Sequence, residues 1–252
     1  MRLVNKRFAQ SVWGLTLLVL SALTYADPIA RALAAGDRLP ADLERDLRDH
    51  PEVILAMLNL QPGARVADIF AGGGYYSELI ARVVAPGEVL LVNNPPYQQF
   101  AAPGLEARFG EREVPGVTQS VRDPGDLGLG DGVLDAALIV MSWHDLYYGA
   151  EDWPQIDRED FLGQIVTALK PGGHFLIVDH SAVSGADLTV TETLHRIDER
   201  VAREDIVAGG LEYVGSSEVL RNPDDDRSIM VFDPAIRGKT DRFVLLFRKP
   251  LD

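Results

Sequence analysis

Apolar residues along this chain fall into two kinds of segment that take turns. Short, nearly continuous apolar runs predict strands over residues 65–70 (RVADIF), 88–92 (EVLLV), 117–121, 134–141 and 174–178. Their length and their Val, Leu and Ile content suit strands buried on both faces. Between them lie segments with apolar positions at helical spacing. Residues 42–60 place Val53, Ile54, Met57 and Leu58 on one side, 76–84 and 199–208 also read as helices, and 158–169 is clearly amphipathic. Two further strands are predicted near 211–219 and 242–247. Strand and helix in alternation predict a doubly wound, mostly parallel α/β sheet with helices on both faces. Ligands of such sheets sit beyond the carboxyl ends of the strands, near the switch point in strand order.

Composition narrows the picture. A chain of 252 residues that is 46% apolar suits one well-cored domain. A net charge of −14 repels phosphate backbones and argues against a nucleic-acid partner. The absence of cysteine excludes disulfides, thiolate metal sites and a thiol nucleophile. The first 26 residues have the layout of a secretory signal peptide. Arg2, Lys6 and Arg7 are basic, residues 12–23 are apolar and uncharged, and Thr24-Tyr25-Ala26 offers small residues ahead of Asp27. The apolar run is about 12 residues, short of the ~20 that span a bilayer. The expectation is an exported, periplasmic protein with no stable membrane association after cleavage; an uncleaved anchor would leave the domain on the same side. The chain then divides into a signal peptide (1–26), a helical segment (27–60) and an α/β domain (61–252).

Chemistry first shows at Asp68-Ile-Phe-Ala-Gly72-Gly73-Gly74, which closes the first strand and opens the next helix. Glycines there let the backbone turn tightly and approach a ligand, although such turns have many uses. Residues 169–179 (LKPGGHFLIVD) read as a helix end, a Pro-Gly-Gly turn and a buried strand. Here the sequence resembles the class I S-adenosylmethionine-dependent methyltransferases, whose fifth strand is commonly entered through LKPGG. The strings DIFAGGGYYSELIA, SWHDLYY, LKPGGHFLIVDHSA, ETLHRID and FDPAIRGKTDRFVL resemble a group of exported proteins catalogued as predicted methyltransferases. That resemblance covers nearly the whole chain after residue 26. It implies a Rossmann-like, seven-stranded sheet with an antiparallel last strand, and S-adenosylmethionine as cofactor. By the same resemblance Asp68 heads the cofactor motif, Gly72 and Gly74 match its second and third glycines, and Gly73 lies between them against the cofactor. Phe70 stands where the motif has its first glycine. Asn93, followed by Asn94, stands where the family grips the ribose with an acidic residue, and Asp123 where it contacts the adenine amine.

Asn94-Pro95-Pro96-Tyr97 spells a motif of amino-methylating DNA enzymes, but it follows the second strand instead of the fourth, and a prolyl turn accounts for it. After the fourth strand comes Ser142-Trp143-His144-Asp145; His180 follows the fifth, and His195 precedes the next helix. Three of the five histidines thus fall on the ligand side of the sheet. In one reading His144 or His180 takes a proton from the nucleophile while an aspartate, Asp145, orients the ring. In the other, His144 and His180 with Asp145 or Asp179 hold a divalent metal through nitrogen and oxygen. Methyl transfer in this fold rarely requires a metal, so the acid–base role is expected and no metal. Residues 221–240 form a long connection on the ligand side, where Asp224-Asp225-Asp226 reads as a solvated acidic turn. The expected function is methylation of a small molecule. The alternative is an exported binding protein or metal-dependent enzyme on the same fold.

Overall fold

A computed structural model describes residues 27–149 and 153–252; the signal peptide expected over 1–26 lies outside the described residues. The elements run α1 (Pro28–Leu33), α2 (Pro40–Asp49), α3 (Pro51–Met57), β1 (Arg65–Ile69), α4 (Tyr75–Val84), β2 (Glu88–Asn93), α5 (Pro95–Phe109), β3 (Val117–Val121) and β4 (Leu134–Val140). A 3-10 turn (His144–Tyr147) follows, then α6 (Arg158–Ala168), β5 (Leu169–His180), α7 (Val190–Thr193), α8 (Glu199–Ala208), β6 (Glu212–Ser217) and β7 (Arg242–Arg248). The sheet order is β3-β2-β1-β4-β5-β7-β6, with β7 antiparallel to both of its neighbours and the first five strands parallel. This is the expected Rossmann-like, doubly wound architecture. Its switch point lies between β1 and β4.

Strand alternation divides the core. Ala67, Ile69, Phe175 and Ile177 face Phe161 and Ile165 of α6 and Ile206 of α8. Val66, Leu176 and Val178 face Ile54 and Leu55 of α3 and Leu79 and Ile80 of α4. Both faces are buried, which is why the parallel strands read as continuous apolar runs.

Three local features differ from the sequence expectation. The single helix over 42–60 is two, because His50 turns left-handed at φ 43° and Pro51 starts α3 afresh. Residues 94–97 are no turn: Asn94 accepts a hydrogen bond from the Tyr97 amide and caps α5, with Pro95 in its first turn. Proline costs nothing there because its missing N–H would be unpaired in any case. The β5 strand begins at Leu169, with the Pro-Gly-Gly turn absorbed as an irregularity between the Leu134–Leu169 and Ala136–His174 pairs.

One arginine fastens the helices around the glycine turn. Arg108 of α5 is buried and pairs with Asp42 of α2 at 2.5 Å and Glu78 of α4 at 2.6 Å, while its Nε donates to the Gly73 carbonyl at 2.8 Å. Burial alone would raise the Glu78 pKa, but Arg112, Arg82 and Arg108 together hold it at about 2. Breaking such a buried network strands a charge, at a cost of about 3–5 kcal/mol. Arg108→Met should therefore lower unfolding stability by about 3–5 kcal/mol in denaturant titrations. A loss below about 1 kcal/mol would class these pairs with ordinary surface ones.

Candidate active site

The carboxyl ends of β1, β4 and β5 open into one cavity of about 830 Å³. Asp68, Phe70, Gly72 and Gly73 line it from the first strand's end, and Pro96, Tyr97, Gln99 and Phe100 from the start of α5. Ser142, His144, Asp145 and His180 line it from the ends of β4 and β5. His195 and, from the long 221–240 connection, Phe232 and Arg237 close the far side.

The glycine turn is built to stay in place. Asn93 is fully buried, and its side chain accepts from the Gly72 amide at 3.0 Å and donates to the Gly72 carbonyl at 3.1 Å. Its side chain therefore braces the glycine turn and, contrary to the expectation that it grips a ligand, does not line the cavity. Its neighbour Asn94 is buried too, and Asn94 Nδ2 has no partner among the described residues. Gly73 and Gly104 of α5 pack backbone to backbone: a Cβ on Gly104 would stand 3.2 Å from Gly73 Cα. Gly74 is turned from the cavity; at φ 77°, a Cβ there would strike the Phe109 ring at 2.7 Å. Asp123 is also corrected: it is exposed, closes its own turn by accepting from the Gly125 amide at 2.9 Å, and does not line the cavity.

Asp68 does line it. Its carboxylate accepts from Ser77 Oγ at 2.6 Å, and burial raises its pKa to about 6 despite that bond. Phe70 sits at φ 53° and stacks its ring on Tyr97 with centroids 5.0 Å apart. The Tyr97 hydroxyl reaches the other half of the cavity, donating to Asp145 Oδ2 at 2.6 Å and lying 2.5 Å from Ser142 Oγ.

The histidines converge there. Asp179, at the end of β5, accepts from the His144 amide at 2.7 Å and holds His144 Nδ1 at 2.8 Å. His144 Nε2 then lies 3.3 Å from Asp145 Oδ1, and His195 Nδ1 lies 3.9 Å from the same oxygen. His180 is near, its ring 6.0 Å from that of His144, but its Nδ1 is tied to Thr240 Oγ1 at 2.7 Å. The close group is thus His144, Asp145 and His195, with His180 beside it. Burial works against protonating His144, yet Asp179 and Asp145 outweigh it and raise its pKa to about 9. Burial lowers the His180 pKa to about 3, and burial with the neighbouring His144 lowers that of His195.

The 221–240 connection is anchored from below. Asp225, within the acidic run, is buried and pairs with the fully buried Arg196 at 2.8 Å, so the run is not a solvated turn throughout. Asp224 and Asp226 on either side are exposed.

No family model matches the sequence, and no curated protein does. Solved structures match its fold. A SAM dependent methyltransferase from Aquifex aeolicus aligns over 83% of this chain and 93% of its own, with a TM-score of 0.57 and 19% identity. The [4+2]-cyclase SpnF aligns over 84% of this chain and 82% of its own, with a TM-score of 0.57 and 21% identity. Geranyl diphosphate C-methyltransferase from Streptomyces coelicolor A3(2), solved with Mg2+, geranyl diphosphate and S-adenosyl-L-homocysteine, aligns over 86% of this chain and 88% of its own (TM-score 0.56, 13% identity). The chain has the fold of these enzymes.

Asp68 offers a direct test of how dry the cavity wall is. A carboxyl whose folded pKa is raised carries no penalty below its unfolded pKa of about 4 and its full penalty above about 6. Asp68→Asn should therefore match the wild type near pH 4 and gain on it up to pH 7, by about 3 kcal/mol at 1.36 kcal/mol per pKa unit. Thermal unfolding of both proteins across that range checks this, and a difference independent of pH would place Asp68 in water.

Proposed function

We propose that the protein is an exported S-adenosylmethionine-dependent methyltransferase acting on a small molecule. The observation that carries this reading is the single cavity in which a carboxylate beside a glycine turn meets a histidine–carboxylate cluster, on a fold shared with solved methyltransferases. S-adenosylmethionine supplies an electrophilic methyl group on a sulfonium. The residues present fit it. Asp68 and the Gly72–Gly73 backbone suit its cationic amino-acid end, and the Phe70–Tyr97 ring pair offers π-faces to a sulfonium. Pro96, Gln99 and Phe100 flank the adenosine. Asp123 has no part in this arrangement.

The far half of the cavity then belongs to the methyl acceptor. Tyr148, Trp153 and Phe232 give it aromatic walls, and a cavity of about 830 Å³ suits a small molecule rather than a macromolecule. His144, Asp145 and His195, with His180 beside them, lie where the acceptor's proton must leave as it is methylated. Acid–base assistance of this kind is worth about 10²–10⁴ in rate. Methyl transfer also needs the two reactants held in line and away from water, which the buried wall of β4 and β5 provides.

A second reading keeps the cavity without methyl transfer, as a binding protein or another enzyme. The consumed Asn93 amide favours it, since the usual ribose carboxylate has no direct replacement. SpnF, a cyclase, has a similar fold. Calorimetry separates the two. Purified protein should bind S-adenosylmethionine and S-adenosylhomocysteine, and Asp68→Asn should weaken both by tenfold or more while remaining folded. Failure of the wild type to bind either compound would discard the methyltransferase reading.

Export rests on the basic, apolar and small-residue order of residues 1–26. Intact-mass measurement of protein recovered from the producing cells should give a chain beginning at or near Asp27, outside the cytoplasm. A full-length cytosolic product would overturn this.

A further inference from the structure

His144, Asp145 and His195 form a compact set of groups that can each offer a ligand atom to an ion. One ligand-type atom from each lies within 4.8 Å of the other two. The contacts within the set, 3.3 Å from His144 Nε2 to Asp145 Oδ1 and 3.9 Å from His195 Nδ1 to the same oxygen, are longer than well-formed hydrogen bonds. Two imidazole nitrogens and one carboxylate oxygen thus face a common point without closing on one another.

Each member is also oriented from behind. Asp179 takes His144 Nδ1 at 2.8 Å, which leaves Nε2 directed into the cavity. Tyr97 donates to Asp145 Oδ2 at 2.6 Å, which leaves Oδ1 for the imidazoles. The His195 ring stands against Tyr148 with centroids 5.3 Å apart and against Phe232 at 4.9 Å, on a backbone held at φ 52°. A carboxylate behind a histidine, with its other nitrogen free toward an open site, is the outer-shell arrangement that metal-ligating histidines almost always have. Charge points the same way. Among the described residues, the ion pairs of Asp145 and Asp179 are made to histidines alone, with no arginine or lysine.

We propose that His144 Nε2, Asp145 and His195 bind one divalent first-row metal ion in the cavity wall. Two histidines and one carboxylate on one side of an ion leave its remaining positions open to the cavity, for water or an oxygen of the substrate. The absence of cysteine restricts the donors to nitrogen and oxygen, which makes zinc, manganese and ferrous iron the candidates. This ligand set differs from the one that pairs His144 with His180: it is His144, Asp145 and His195 whose ligand atoms all lie within 4.8 Å of one another, and His180 is not in that group. With the ion bound, His144 Nε2 and His195 would be occupied as ligands, so this inference replaces their acid–base assignment. It does not rest on methyl transfer, because the ion would bind whether or not a methyl group moves.

The test uses the full protein, produced without a histidine tag, stripped with chelator and titrated with Zn2+, Mn2+ and, without oxygen, Fe2+. Elemental analysis after gel filtration should return one ion per chain for at least one of the three. His195→Ala and Asp145→Asn should each abolish stoichiometric uptake, and Asp179→Asn should weaken it by about 10–100-fold through the loss of His144 orientation. His180→Gln should stay within about threefold of the wild type. Co2+ provides a second readout in the folded variants, with visible absorption bands in the wild type that are missing in His195→Ala. No stoichiometric ion in the wild type would overturn the site. Equal uptake by His195→Ala and the wild type would overturn this ligand set. S-adenosylmethionine calorimetry on the stripped protein reports on the methyltransferase reading separately.

Discussion

The carboxylate of Asp179 sets the geometry on which the cavity depends. It is fully buried next to the last residue of β5, where an ionised group is stable only with several donors around it. Burial pushes its pKa upward, but the His144 imidazole, His180 and the His144 amide outweigh that and hold it ionised. Three of its donors come from the turn after β4 and from the residue after itself: the His144 amide, His144 Nδ1 and the His180 amide. Satisfying this one charge therefore folds the His144–Tyr147 turn over the end of β5. That fold directs His144 at the cavity, with Asp145 next to it. The parallel pairing of Val140 with Val178 places the two strand ends side by side, so the constraint begins in the sheet register.

The remaining walls follow from similar demands elsewhere. Arg108 must neutralise Asp42 and Glu78, and in doing so it draws α5 onto the glycine turn until Gly104 and Gly73 meet through their backbones. On the opposite side Arg196, with no exposed surface, needs Asp225 and the carbonyls of Ser181 and Ile229. That requirement pins a segment with neither helix nor strand, and the pinned segment carries Phe232 and Arg237 to the cavity. Buried ion pairs of this kind add little net stability over apolar packing, but breaking one is costly, so they fix arrangement more than they add stability.

This division explains what could be read in the sequence. Strand and helix alternation and the glycine turn after β1 were accessible, because periodicity and burial on both faces leave a direct trace in residue order. The antiparallel direction of the last strand leaves no such trace and came only from the resemblance. The α5 helix was hidden by Pro95-Pro96, which looks like a turn unless Asn94 is recognised as a cap. Asn93 and Asn94 are chemically identical in sequence, and only the structure shows that the first is consumed by Gly72 while the second keeps a free donor. His144, Asp145 and His180 were legible as strand-end residues. The partnership of His195 with Asp145 was not, since it depends on a left-handed residue between α7 and α8 and on aromatic contacts from Tyr148 and Phe232. Such contacts join distant segments and have no local spacing. The signal that was available was the Ile-Asp cap after His195-Arg196, which marks a tight entry to α8.

Tyr97 joins the two halves of the cavity. Its ring lies on Phe70, and its hydroxyl ends on Asp145 and Ser142. Burial and the nearby Asp145 raise its pKa well above 10, so it remains a hydrogen-bond donor throughout the neutral range. A glycine at residue 70 would leave the Tyr97 ring unsupported on that side, and the hydroxyl would lose its aim at Asp145. Phe70 is therefore intelligible as part of the histidine cluster's construction. The cost of a left-handed phenylalanine, of order 1–3 kcal/mol, is offset by stacking and by the order it imposes on a carboxylate between two imidazoles. The two halves also carry separate carboxylates. Asp68 stands at the end of β1, and Asp145 with Asp179 near the ends of β4 and β5, so a cationic ligand beside the glycine turn and a cation among the histidines would each face its own carboxylate.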